Sequence, residues 1–469
     1  MSHSQSSVVP IEKESSSPIH FVGIGGIGMS AIAEVLLEEG YTVSGSDLRL
    51  SPITDNLARK GAKIFQGHAA ENIGEAGLVV ISSAVPSDNA EVLEAKRRGL
   101  PVIKRAEMLG RLMADRFGIA IAGTHGKTTT SSLIALILEW AGLEPTILVG
   151  GEMIDLGTNA KLGKGRYLVA EADEFDGSFL QLNPRMAIVT NIEPDHLDTY
   201  GSFEALIAAF HQFMASVPEQ GYIVACSDDP RIRSLLKTPL KAQNISSYGF
   251  GPNAEWRATN LKPNAQGGTD FVVERQGERM GYYSIRLPGE HNVANALAAI
   301  AASSLLGIEE AKVRQTLASF RGARRRFEIK GEIGGITVVD DYAHHPTEIM
   351  ATLKAARARF GSRRIICVFQ PHTYSRTKFL FREFTTAFGD VDEVVITDIY
   401  AAREKDTLGI SAADLATAIC HPVVRYIGDL SEVAESELER LQPGDVLMTV
   451  GAGDVDRVGN LVLEGLAQR

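Results

Sequence analysis

The segment Gly123-Thr124-His125-Gly126-Lys127-Thr128-Thr129-Thr130 constrains this chain more than any other. An apolar run, 117–122, leads into it, and an apolar helical pattern, 133–140, leads out. A strand that feeds a glycine turn and then a helix aims backbone N–H groups at a phosphate. Lys127 then neutralises the β/γ oxygens, and the Thr128 hydroxyl is placed to ligate Mg²⁺. The usual phosphate-loop pattern has a glycine where this chain has Ile121, so the loop is a shorter variant. The segment predicts ATP binding on a parallel α/β sheet.

Composition narrows the class. Of 469 residues, 44% are hydrophobic and 22% charged, as in ordinary globular proteins. No apolar run approaches a membrane span, and a net charge of −11 argues against nucleic-acid or anionic-membrane partners. Cys226, Cys367 and Cys420 are scattered, which disfavours a disulfide framework or structural zinc. Residues 1–17 are Ser-rich and polar without an apolar core, and read as a disordered tail rather than a secretory signal. A cytoplasmic enzyme is expected.

Strand-like runs at 19–24, 41–45, 78–82, 166–170, 186–190, 336–341, 364–369, 393–397 and 445–450 alternate with helical patterns. They predict three α/β domains, 18–115, 116–326 and 327–469, split near residues 115 and 326. A variable stretch rich in Gly and Asn runs from about 249 to 281, and a helix is expected over 292–306.

Four further clusters carry chemistry. Gly23-Ile24-Gly25-Gly26-Ile27-Gly28 follows a strand and opens a helix, the pattern of a diphosphate-binding turn. It leaves open a nicotinamide or flavin cofactor or another nucleotide diphosphate. Asp47, at the end of the next strand, suits a ribose or simply a turn. Glu171 and the Asn191–His196 segment end strands in the middle domain. Glu171 is a natural magnesium ligand, whereas a lone histidine such as His196 is more often a loop hydrogen-bonder. Asp340–Thr347 and Gln370–Thr377 end strands in the third domain, and Arg376 suits a substrate carboxylate or an ordinary surface position. The run Arg324–Arg326 is either a solvated linker or a phosphate contact. Adjacent histidines such as His344-His345 rarely share one zinc, and none is expected.

Taken in order, Gly23 to Ser30, Gly123 to Thr129, Asn191 to His196, His291-Asn292-Val293-Ala294-Asn295, Arg325-Arg326-Phe327 and Asp340 to Pro346 give the chain away. From about residue 19 onward it resembles the Mur ligases. The resemblance implies an α/β fold with Rossmann-like N- and C-terminal domains around a central P-loop ATPase-type domain. It implies an enzyme of peptidoglycan synthesis, and within the family the chain looks most like members that join L-alanine to the lactyl carboxylate of UDP-N-acetylmuramate. ATP would be consumed through an acyl phosphate, with Mg²⁺ or Mn²⁺, by a monomer or homodimer.

By the same resemblance, Gly23, Gly25, Gly26, Gly28, Met29, Ser30 and Asp47 hold the UDP-sugar. Gly123, Thr124, His125, Gly126, Lys127, Thr128, Thr129, Asn292, Arg326 and Asp341 hold ATP. Thr128, Glu171 and His196 form the metal site, and Tyr342, His344 and Arg376 meet the amino acid, with His344 the candidate for handling the amine proton. Residues 203–214 contain no lysine where several sister ligases carry a carbamylated one, which agrees with the alanine-adding members. Thr373 stands where some of those members have arginine.

Overall fold

Short β-branched and aliphatic runs set the architecture. Phe117–Ala122, Met186–Val189, Ile365–Phe369 and Val446–Val450 are almost wholly buried, as strands covered on both faces must be. The computed structural model describes residues 17–402, 404–406 and 408–469. The tail expected at the N-terminus therefore lies, apart from Ser17, outside the described residues. No helix among them is long and apolar enough to cross a membrane.

The chain falls into two compact units. The first runs to Thr259 and takes in Val272–Tyr283 and Ala294–Ala318; the second comprises Asn260–Phe271, Ser284–Val293 and Ser319–Arg469. In the first unit a five-stranded parallel sheet has the order Lys63–Gln66, Val43–Asp47, Ile19–Val22, Leu78–Ile81, Val102–Lys104. Strand order reverses at Ile19–Val22. That is the switch point where open α/β sheets leave a crevice, and the first glycine loop leaves from it.

A ten-stranded sheet follows. Its central strand, Phe117–Ala122, pairs in parallel with Met186–Val189 on one side and Tyr167–Glu171 on the other. The loops after these three strands are the phosphate loop, the segment from Ala172 and the segment from Thr190, so topology alone makes them neighbours. Outward from Met186–Val189 lie Tyr222–Cys226, Asn244–Gly249, Trp256–Pro263, Thr269–Arg275 and Glu278–Ile285. The last three strands occupy the stretch read from sequence only as variable and rich in Gly and Asn. Their inward residues, Trp256, Ala258, Val272, Tyr283 and Ile285, are buried, but glycines and polar residues between them hide the alternation.

The second unit holds a six-stranded sheet in the order Glu328–Ile333, Ile336–Asp341, Val446–Val450, Ile365–Phe369, Glu393–Ile396, Val424–Tyr426. All its pairs are parallel except the first. Helices cover both faces, with one core around Phe369, Phe384 and Phe388 and another around Val338, Val368 and Val458. The loops after Asp341, Val450 and Phe369 are adjacent at its C-terminal edge.

Candidate active site

The phosphate loop is shaped by two glycines. Gly123 has φ +137° and Gly126 φ +81°, both in the region that side chains avoid. A Cβ on Gly123 would lie 2.0 Å from Thr190 Oγ1, and one on Gly126 2.4 Å from Asn295 Oδ1. The neighbouring strand end fixes the loop: Thr124 N donates to Asn191 O (3.1 Å) and His125 N to Asn191 Oδ1 (2.8 Å). Thr190 Oγ1 and Asn191 Nδ2 both donate to His125 O. Thr124 Oγ1 accepts from Glu193 N, and the His125 ring meets Glu193 at 3.3 Å. The helix that follows, Lys127–Trp140, starts with no side-chain cap and no acidic residue in its first turn. Its N–H groups are left to an anion.

Lys127 folds back into this loop. Its ammonium donates to Gly123 O (2.6 Å), Thr124 O (3.2 Å) and both oxygens of Glu174 (2.9 and 2.8 Å). Burial works against its charge, but Glu174, together with Asp173 and Glu171, outweighs that, and the lysine holds its proton more tightly than usual. Burial pushes the Glu174 carboxyl up, against the pull of Lys127. Nothing in the local sequence pattern assigns Glu174 a role; its contact with Lys127 makes it the counter-ion of the site.

Glu171 ends its strand with Oε1 accepting from Gly150 N (2.7 Å) and Ser131 Oγ (3.3 Å). Ser131 also donates to Thr128 O, so Glu171 is tied to the turn that carries Thr128. Thr128 Oγ1 and Glu171 Oε2 make no hydrogen bond among the described residues. Both are hard oxygen donors, the chemistry a magnesium ion selects, so the set fits that ion. His196 has φ +53°, and its ring packs edge-on against Phe175, centroids 5.2 Å apart. It meets Asp195 at 3.7 Å. Its imidazole is the softer donor of the three.

Asn295 closes the His291–Asn295 motif and lies against the phosphate loop. It accepts from Thr130 Oγ1 (3.2 Å) and leaves no room beside Gly126 for a side chain. Asn292, which was assigned, is buried in the second unit, with Nδ2 donating to Pro288 O (2.8 Å).

The first glycine loop rests on the neighbouring strand. Gly23 and Ile24 donate to Ser46 O, and Gly25 N donates to Asp47 Oδ2 (2.9 Å). Asp47 thus fixes the loop itself. Ser46 Oγ in turn donates to Glu91 (2.6 Å), a fully buried carboxylate that also takes Asn72 Nδ2 (2.6 Å), with His68 at 3.3 Å and His20 at 3.7 Å. Burial opposes this charge, yet His20, Ser46 and Asn72 bring its pKa down to about 2. The helix Ile27–Glu38, which carries Gly28, Met29 and Ser30, also begins without side-chain cap or acidic residue.

In the second unit Arg325 is the organiser. Its guanidinium donates to Asp340 (2.9 Å), Gly453 O (2.7 Å) and Gly451 O (2.7 Å), binding two strand-end loops together. Arg325 and Arg326 both lie 5.1 Å from the Tyr342 ring centre. Asp341 is buried with its carboxylate accepting from Phe327 N (2.7 Å), Ala343 N (2.8 Å) and Thr352 Oγ1 (3.3 Å). Burial nonetheless raises its pKa to about 6. The rings of Tyr342 and His344 meet edge-on, His344 lies 5.9 Å from His372, and His372 stacks on Tyr400 at 5.6 Å. Arg376 Nη1 lies 3.1 Å from His372 Nδ1, and Thr373 caps the short helix Tyr374–Phe379. The fold therefore unites the two polar clusters read separately in the sequence, through His372 of the second cluster and Tyr400, which lies outside both. His345 caps the helix Pro346–Phe360, a structural position.

Three family models match in order: Mur ligase family, catalytic domain, over residues 18–117; Mur ligase middle domain over 121–303; and Mur ligase, glutamate ligase domain, over 325–453. The chain is 52% identical over 449 residues to the UDP-N-acetylmuramate–L-alanine ligase of Geobacter sp. strain M21, covering 95% of this chain and 96% of the relative. It is 50% identical over 454 residues to the enzyme of that name from Geobacter sulfurreducens, covering 96% and 98%. Among solved structures, the UDP-N-acetylmuramate-alanine ligase of Thermotoga maritima superimposes with a TM-score of 0.82 at 30% identity, over 96% of this chain and 99% of that one. A murein peptide ligase from Psychrobacter arcticus gives 0.71 at 26%, over 97% and 99%. By these matches the chain belongs to the Mur ligase family.

Proposed function

We propose that the protein joins L-alanine to the lactyl carboxylate of UDP-N-acetylmuramate in peptidoglycan synthesis, at the expense of ATP. The observation that carries this reading is the phosphate loop with Lys127 at its centre, in a chain about half identical to ligases of that name over nearly its full length.

A carboxylate does not condense with an amine at neutral pH, because its oxygen leaves poorly. The substrate carboxylate attacks the γ-phosphorus of ATP, and ADP departs with the electrons of the broken P–O bond. The alanine amine then adds to the acyl carbon, and phosphate leaves. Two anions must meet in the first step. Lys127, released from Glu174 by the incoming phosphates, brings positive charge to them, and the loop N–H groups at Gly126–Thr128 receive oxygens. Thr128, Glu171 and His196 hold Mg²⁺, which when bound neutralises phosphate charge. Asn295 keeps Gly126 in its left-handed turn.

In the second unit Arg326 and Asp341 serve the nucleotide, and Arg376, beside His372, receives the amino-acid carboxylate as a planar two-donor fork. His344 lies within this ring cluster and assists loss of the amine proton. On the first glycine loop, Gly23 to Ser30 bind the diphosphate of the sugar nucleotide.

The test is phosphate release from Mg-ATP with UDP-N-acetylmuramate and L-alanine, added singly and together. Release that needs both is expected. Release with neither, or without the sugar nucleotide, overturns the reading.

A further inference from the structure

The segment Glu171–Asp176 carries four acidic residues with alternate allegiances. Glu171 and Glu174 are tied to the phosphate loop and its helix. Asp173 and Asp176 turn the other way, to residues beside the first glycine loop. Asp176 takes Ser83 Oγ (3.0 Å) and Lys104 Nζ (3.2 Å), and Asp173 lies 3.8 Å from Arg105 Nη2.

Arg105 stands in an electrostatically odd place. Its guanidinium covers Gly28, with Nη1 3.1 Å from where a Cβ would be, in the first turn of the helix Ile27–Glu38. That helix end is positive and has no acidic residue or side-chain cap. Arg105 is also the first residue of its own helix, Arg105–Ala114, whose cap is Lys104 with no side-chain capping bond. The carboxylate in that first turn, Glu107, is engaged by Arg111 (2.9 Å). Two helix N-termini and two cations therefore converge beside the glycine loop, the reverse of the usual dipole preference. The carboxylate facing Arg105 is Asp173, at a distance too long for a hydrogen bond and half open to water.

We propose that Arg105 binds the diphosphate of the sugar nucleotide, and that Asp173 holds it until the substrate takes it. This rests on the functional reading above. The exchange frees Asp173 in the segment that also carries Glu171 and Glu174, so occupancy of the sugar-nucleotide loop reaches the residues facing ATP through one short stretch of chain.

The experiment is calorimetric titration of the full-length protein with UDP, UMP and UDP-N-acetylmuramate, in the wild type and in Arg105→Gln, Arg105→Lys and Asp173→Asn. A guanidinium–phosphate contact predicts about 10- to 100-fold weaker UDP binding in Arg105→Gln. The loss should be smaller for UMP, with partial recovery in Arg105→Lys. Asp173→Asn should bind UDP about 2- to 10-fold more tightly, because no ion pair has to be broken. Melting temperature and affinity for a non-hydrolysable ATP analogue report folding; if Arg105→Gln does not fold, Asp173→Asn decides. Equal losses for UDP and UMP, wild-type affinity in Arg105→Gln, or unchanged or weaker UDP binding in Asp173→Asn overturns the inference. A wild-type protein that binds none of the three ligands overturns the functional reading instead.

Discussion

Replacing Glu91 by Gln tests how the first glycine loop is held. Glu91 is fully buried, and its carboxylate receives Ser46 Oγ and Asn72 Nδ2 at 2.6 Å each. Ser46 O accepts from Gly23 and Ile24, so the loop hangs from this carboxylate through one residue. Its pKa falls from 4.5 to about 2 on folding. That difference corresponds to roughly 3 kcal/mol of stability. Because the folded pKa is the lower one, the contribution is fully present above pH 4.5 and is lost as the pH falls toward 2, with part of it gone by pH 3.5. Glu91→Gln keeps the shape and removes the charge. Urea unfolding at pH 7 should show a loss of about 2–3 kcal/mol, narrowing toward pH 3.5, and UDP should bind more weakly. A loss below about 0.5 kcal/mol at pH 7, or one that does not change with pH, refutes the reasoning.

Three other perturbations probe the two strand-end clusters. Glu174→Gln leaves Lys127 facing only neutral acceptors at this contact, so the ligand-free protein should lose about 1–3 kcal/mol while the gain in melting temperature on adding an ATP analogue becomes larger; an equal loss with and without the analogue contradicts the counter-ion role. Gly126→Ala meets both φ +81° and the Asn295 oxygen, so the KM for ATP should rise at least about tenfold with about 1–3 kcal/mol of destabilisation, read by steady-state kinetics and urea unfolding. Asp341 has its folded pKa raised from 3.8 to about 6. Its share of stability is therefore complete below pH 3.8 and is lost as the pH rises through 6, by up to roughly 3 kcal/mol. Asp341→Asn should flatten that part of the stability–pH curve measured by unfolding at pH 5 and 7.

Much of this was legible because the chemistry sits in short local patterns. Gly123 and Gly126 read as a phosphate loop since only glycine adopts their φ, and Ile121 proved to be strand rather than loop. Residues at strand ends, such as Glu171 and Asp341, were visible wherever an apolar run stopped at a carboxylate. What a linear reading lacked was partnership. Glu174 stands three residues from Glu171, and only the fold shows that it, not its neighbour Asp173, reaches Lys127. His372 and Tyr400 belong to different loops and are joined by ring stacking and a direct parallel backbone bridge. Asn295 differs from Asn292 only by a helical turn, which decides which of them faces Gly126. The strands of 256–285 escaped because their buried face is carried by a few residues among glycines and polar side chains.

The most direct measurement is the mass of the product formed from Mg-ATP, UDP-N-acetylmuramate and L-alanine, with phosphate release followed in parallel. The account predicts one alanyl residue added per phosphate released, and no turnover in Lys127→Ala. Turnover only when a tripeptide replaces alanine, or none with any acceptor, would contradict it.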